Sequence, residues 1–394
     1  MHPFLILEGF ADAAGWIGWV IEMAKDSTVV TIRDPEDPAM EELCQQLASR
    51  CRSLSTLDSQ GNAPWPQQQL ELCGQYGVYE WFLDPSMGGQ GWIDVDLVRG
   101  YLALSAACLT TTFIITQRTG ACRRIEGSGN EHACQQLLPG LLTGETFSTV
   151  GLSHLTTSHR HLGRPVLHAE QTSDGFLLDG FSPWVTGATR AETIVVGATL
   201  SDDRQVLLVV PTDLEGVEVE EPVRLMALSS SHTGRVNFHG VRVAQEWLLA
   251  GPAEDVMSQA IGANPGGLQT STLAVGLADS ALRFLENEAE NRPDLQQPAT
   301  RMRQQWQQLY DDLLAGVAGD ESNTKEQIRS RANNLALNSS QAALAAAKGA
   351  GYVAGHDAGR WCQEAMFFLV WSCPQPVMNA HLCQLAGLTD LDQI

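Results

Sequence analysis

Strand-forming text is confined to one block of this chain, and that confinement excludes most folds. From about Thr146 the sequence runs in short apolar stretches. AETIVVGATL and QVLLVVPT are parted by the turn SDDR, and GVEVEE and GRVNFHGVRV follow. In the last of these Val236 and Phe238 share one face, followed by Val241 and Val243. On either side the period is helical. PAMEELCQQLASRCRSL sets Met40, Leu43, Leu47 and Leu54 near helical spacing. PQQQLELCGQYGV reads as a helix closed by Gly77, and NEHACQQLLPGLLTGE as a helix broken at Pro139 before a short apolar turn. After about Asn264 long helices return. The stretch RSRANNLALNSSQAALAAAKGAGY carries no charge between Arg331 and Lys348, which predicts a helix covered on all sides, in part by a second subunit. Helices, then strands, then helices is not the alternation of a doubly wound sheet. No GxGxxG follows a strand and no Walker loop occurs. The expectation is an α+β fold, mostly α, with a helical domain over 1–146, a β domain over 147–257 and a helical bundle over 258–394.

The formal net charge of -22 argues against binding nucleic acid or an anionic membrane surface. Lysines occur only at 25, 325 and 348, so an anionic ligand would have to be met by arginines. Nine cysteines, an odd number without a CxxC pair, read as reduced thiols, and the expected location is the cytoplasm. The first residues lack a basic leader and are interrupted by Glu8, Asp12 and Glu22, a poor signal peptide. The run Gly100–Gln117 is barely long enough to cross a bilayer and reads as a buried helix, without membrane insertion.

Three stretches hold candidate chemistry. SHLTTSHRHLGRPVLH joins His154, His159, His161 and His168 to Arg160 and Arg164 with no acid. Its spacing matches no common metal set, so no metal is assigned; a phosphate-binding surface and a solvated loop both remain open. PWVTGA sets Trp184 two residues before Thr186, either as core and turn or as a wall for a planar cofactor. RWCQEAMFFLVWSCPQPV reads as an apolar helix, with Trp361, Ala365, Phe368, Leu369 and Trp371 in step, stopped at Ser372, Cys373 and Pro374.

Taken in order, YGVYEWFLDPSMGGQGW, LLPGLLTGETFSTVGLSH, DGFLLDGFSPWVTGATRAETIVVGA, RLMALSSSHTGRVNFHGVRVA and GAGYVAGHDAGRWCQEAMFFLVWSCP resemble the acyl-CoA dehydrogenase family over roughly residues 40–380. The resemblance implies a helical N-terminal domain, a middle β barrel or sandwich and a C-terminal four-helix bundle, assembled as a homodimer or homotetramer. It also implies FAD, with its diphosphate at a subunit interface, and an acyl-CoA substrate. Leu152 and Ser153 match the loop that meets the flavin, Ser158 the Ser just after it, and Trp184 and Thr186 the flavin contacts of the WIT motif. Arg292 matches the diphosphate Arg, and Gly349 and Gly351 match glycines of GGxGY.

The departures concern chemistry. Ser372 stands where the family carries its catalytic Glu, and a serine hydroxyl is a very poor base near neutral pH. Gly266 occupies the alternative base position, with Gly267 in place of the neighbouring Arg. His154 replaces a Glu, Asp294 and Leu295 flank the diphosphate Arg, Ala345 replaces a Gln, and Pro374 replaces a Thr. Three functions follow as expectations. The first is an acyl-thioester dehydrogenase with a relocated or water-mediated base, His154 and His232 among the candidates. The second is a flavin monooxygenase or oxidase served by a reductase or other electron-transfer partner. The third is a non-catalytic binding paralogue.

Overall fold

The computed structural model describes residues 31–156, 166–258 and 268–388. The chain opens with helices α1 (Pro38–Cys51), α2 (Gln67–Gln75), α3 (Asp94–Ala107), α4 (Leu109–Gly127) and α5 (Glu131–Thr143). Met40, Leu43, Leu47 and Leu54 are buried, as their spacing requires. Side chains of Asp37 and Asn130 cap α1 and α5 by accepting from the Ala39 and Ala133 backbone N–H groups. The uncharged run after Gly100 is not one helix: Cys108 is extended, at φ -158°, and separates α3 from α4. No helix among the described residues is long and apolar enough to cross a membrane. All nine cysteines are free thiols, and Cys51 Sγ lies 3.1 Å from Cys108 Sγ in the core.

The expected break at Pro139 does not occur, and α5 runs through it. Pro139 and Gln135, the residue whose carbonyl loses its helical partner, both lie on the exposed face. Water can take that carbonyl, so the proline costs less there than in a buried helix.

A mixed sheet follows, built from β1 (Ser148–Gly151), β2 (Leu167–Gln171), β3 (Gly175–Val185), β4 (Thr193–Thr199), β5 (Gln205–Pro211), β6 (Val217–Val219), β7 (Gly234–Ala244) and β8 (Leu248–Ala253). Its order is β6-β7-β3-β2-β4-β5-β8, with β1 parallel to β4. A short helix, α6 (Ser153–Thr156), follows β1. Every position of β4 is buried, which is why AETIVVGATL shows no alternation. In β7 the buried residues are Val236 and Phe238, then Val241 and Val243. The extra step falls at Gly240, φ 64°, where the pairing with β3 shifts register between Leu178 and Asp179.

The C-terminal helices are α7 (Gln269–Glu290), α8 (Pro293–Val317), α9 (Lys325–Gly351), α10 (Asp357–Phe367) and α11 (Gln375–Leu385). Helix α7 packs on α3, α8 and α9. At Gly276 a Cβ would come within 2.6 Å of the Leu102 carbonyl, so only glycine admits this approach of α7 to α3. Helix α9 is not covered on all sides by its own chain, since Asn338, Gln341 and Ala345 form an exposed stripe. Arg360 of α10 bridges Glu364, which is 2% exposed, and Asp357, which in turn accepts from Arg52 beyond α1. A buried pair of this kind is costly to break from one side.

Near its end α9 is kinked at Lys348, at φ 55° and ψ -144°, a backbone region that favours glycine. Lys348 is exposed and carries no packing role. Lys348→Gly is therefore expected to stabilise the fold by about 1 kcal/mol, the relief of strain exceeding the added chain entropy. Urea unfolding checks this, and a lowered midpoint would contradict the strain.

Candidate active site

A cavity of about 1050 Å³ opens between the sheet, α3, α4 and the ends of α7 and α10. Its sheet wall carries Trp184 and Thr186. Trp184 stands one residue before the end of β3 and is 48% exposed, so it is not the core residue its apolar neighbours suggest. Thr186 is buried; its hydroxyl shares a 3.0 Å hydrogen bond with that of Thr233, and Thr149 Oγ1 donates to its carbonyl at 2.7 Å. Leu152 and Ser153, where β1 passes into α6, complete this wall.

The opposite wall is the end of α10. Regular helix stops at Phe367, earlier than the apolar pattern suggests, and single turns carry the chain to Trp371. Ser372 lines the cavity and takes a left-handed backbone, φ 44°. The carbonyls released at this helix end have defined partners. Arg329 Nη2 donates to the Phe368 and Trp371 carbonyls at 3.0 and 2.9 Å, and Asn333 Nδ2 donates to Phe368 at 3.1 Å. Burial holds the Arg329 guanidinium down at about 10, with Cys373 acting in the opposite sense. Phe113, Phe367 and Trp371 pack edge-on and stacked around the same turn.

The predicted residues therefore divide. Leu152, Ser153, Trp184, Thr186 and Ser372 meet at the cavity. Arg292, Gly349 and Gly351 do not line it. Arg292 Nη1 donates to the Ala346 carbonyl at 2.7 Å, and its guanidinium pairs with Glu288 at 3.3 Å and Asp294 at 3.8 Å. Ser158, Gly266 and Gly267 lie outside the described residues, as do His159, Arg160, His161 and Arg164. His154 points Nε2 at the Gly197 carbonyl, 2.7 Å away on β4, and His232 points its own at Ala63, 2.9 Å away; neither lines the cavity. Burial raises the Cys373 thiol, the reverse of an activated nucleophile.

Four charged side chains line the cavity among the described residues: Asp94, Arg123, Arg124 and Lys325. None carries a motif, and nothing in the sequence assigns any of the four to a site. The one available signal was the adjacent pair Arg123–Arg124 near the end of α4.

The donor set suits the ring end of the FAD implied above. It offers an exposed indole face, buried hydroxyls at Thr186 and Thr233, and main chain at Leu152 and Ser153. In the single chain the diphosphate end is less complete, because Arg292 is already paired with two acids.

Removing the Arg329 anchor tests how the helix end is held. Arg329→Met is expected to cost about 3 kcal/mol, the scale of lost hydrogen bonds to a charged group, and to speed amide exchange over residues 368–374. Unchanged exchange there would contradict the anchoring role.

No family model matches the chain. Among curated proteins it is similar to a probable acyl-CoA dehydrogenase, YngJ, of Bacillus subtilis, with 25% identity over 241 residues, 59% of this chain and 63% of that protein. The chain thus spans less than two thirds of that relative. Its fold is similar to butyryl-CoA dehydrogenase of Megasphaera elsdenii, with a TM-score of 0.75 at 15% identity, covering 87% of this chain and 97% of the other. It is also similar to the prolyl acyl carrier protein oxidase AnaB, with a TM-score of 0.67 at 14% identity, covering 89% and 100%.

Proposed function

The chain belongs to the acyl-CoA dehydrogenase family, and from that premise we propose an FAD-dependent oxidoreductase acting on an acyl thioester, in which residue 372 is not the base. The observation that carries this reading is the shared lining: an exposed Trp184 beside buried Thr186 on the sheet, and the end of α10 at Ser372 on the same cavity. FAD is the cofactor, and when bound it supplies the hydride acceptor.

The chain's own residues do the rest. Trp184 presents an aromatic face to a planar ring, and Thr186, with its hydroxyl already oriented by Thr233, offers one fixed polar contact. Leu152 and Ser153 close the ring's edge from β1. Phe113, Phe367 and Trp371 exclude water beside Ser372. Among the described residues Asp94 is the one carboxylate on the cavity lining, standing in the first turn of α3. Proton removal therefore falls to Asp94, to a water, or to a group on residues outside those described.

We assign Arg292, Gly349 and Gly351 to a subunit interface in a homodimer or homotetramer, with the exposed stripe of α9 as part of that contact. A second reading rests on Ser372: a flavin monooxygenase on this scaffold, which activates oxygen at flavin reduced from outside, needs no α-proton base and would draw its electrons from a reductase. An acyl-CoA that reduces the bound flavin anaerobically favours the first reading; reduction only by a supplied reductase favours the second.

The founding test is the visible spectrum of the purified protein before and after denaturation. About one FAD per chain is expected. Trp184→Ala should weaken FAD binding about tenfold without lowering the thermal stability of the flavin-free protein, because the ring is half exposed. A protein that takes up no flavin on incubation would overturn the proposal and leave a binding role.

A further inference from the structure

Resting on the reading just given, we propose that the substrate carries an anionic group, a carboxylate at the end of its acyl part, received by Arg124 and Arg123 inside the cavity. The chain as a whole bears a net charge of -22, yet among the described residues the charged side chains lining this cavity are three cations and one acid. Such a local reversal of sign needs a cause.

Arginine at a helix position is often structural, and α4 provides its own comparison. Arg118, 3% exposed, donates to the Thr146 and Leu141 carbonyls and lies over the Tyr79 ring. Its place is explained by the fold. Arg124 is different. It is 6% exposed and lines the cavity, and the hydrogen bond it makes among the described residues is to the Gly120 carbonyl of its own helix, 2.8 Å away. Neither Arg124 nor Arg123 forms an ion pair among the described residues. Glu126, the nearest acid on the helix, accepts instead from the Asp84 backbone N–H at 2.6 Å. The internal segments 157–165 and 259–267 contain no Asp or Glu. Burial and the neighbouring Arg123 together hold the Arg124 guanidinium down at about 10, the mark of a cation without a counter-charge.

A second observation lies in the same part of the cavity. The Tyr101 hydroxyl is buried at the lining, with Thr119 and Gln269 near it, yet closes no hydrogen bond of ordinary geometry to either. A buried phenol left unsatisfied costs stability, and this one marks the part of the lining beside Arg123 as polar and underpaired. A carboxylate meets the need of the arginines, accepting from the guanidinium fork. The acid on the lining, Asp94, is exposed at the start of α3 and is not within ion-pair distance of either arginine.

The test is calorimetric binding to the purified holoprotein, with its flavin content measured first. Succinyl-, glutaryl- and adipyl-CoA are compared with butyryl-, valeryl- and hexanoyl-CoA, so that each pair differs only in the terminal group. Free adipate separates a carboxylate carried on a thioester from a free acid. The expected result is that a carboxyl-ended thioester binds about tenfold or more tightly than its methyl-ended partner. Arg124→Leu should erase the preference, Arg124→Lys should keep part of it, and free adipate should bind far more weakly than adipyl-CoA. Arg123→Leu, at a less buried position, gives a second variant should R124L fail to fold. Equal or tighter binding of the methyl-ended thioesters would overturn the inference, as would a preference that survives loss of both arginines, or free adipate binding as tightly as adipyl-CoA. A carboxylate preference in protein without flavin would overturn the flavin reading and leave this one standing. Full flavin without the preference would do the reverse.

Discussion

A helix that ends inside a protein releases carbonyls that must find donors, and in this chain Arg329 supplies them. Its guanidinium holds the Phe368 and Trp371 carbonyls, with Asn333 adding a second donor to Phe368. At the other end of α10 Arg360 is held between Glu364 and Asp357. Those pairs lie within α10 and brace it internally, while Asp357 ties its start to Arg52 beyond α1. The position of α10 sets where Ser372 stands, and through Phe367 and Trp371 it sets one wall of the cavity. The sheet sets the other wall, because the long pairing of β3 with β7 places Trp184 at a strand end where its ring meets open space rather than core.

These two supports are structurally independent of the chemistry they frame. The packing of α10 needs Arg329, Arg360 and the aromatic cluster, and none of these depends on residue 372. A serine can therefore replace a carboxylate there without disturbing the fold. The same separation explains how arginines came to line the cavity: α4 is anchored by Arg118 and its buried apolar face, so positions 123 and 124 are free to carry charge. What the cavity binds and what removes the proton can change on a scaffold that stays constant.

Much of this was legible in the text. The β block is visible because β4 and β5 are continuous apolar runs, and the interrupted alternation of β7 marks the bulge at Gly240. Trp184, Thr186 and Ser372 line one cavity. Less was legible where burial and partners decide. Pro139 reads as a break, yet α5 continues because the affected carbonyl faces solvent. The uncharged run after Gly100 reads as one helix and is two. Arg292 matches the diphosphate Arg by its motif, and in the single chain it is paired with Glu288 as well as with the Asp294 that the sequence sets beside it. Asp94, Tyr101, Arg123 and Arg124 carry no motif, and only the folded chain brings them to one lining. Ser158 and Gly266 lie outside the described residues.

The central claim is that residue 372 faces the reacting carbon with no carboxylate to offer. It is tested most directly by timing anaerobic bleaching of the FAD-loaded protein by hexanoyl-CoA and adipyl-CoA, in the wild type and in Ser372→Glu. A carboxylate restored at that point should accelerate flavin reduction by about 10²-fold or more, the usual scale of a positioned base. Equal rates in the two proteins, at equal flavin content, would contradict the claim and place the reacting carbon away from the end of α10.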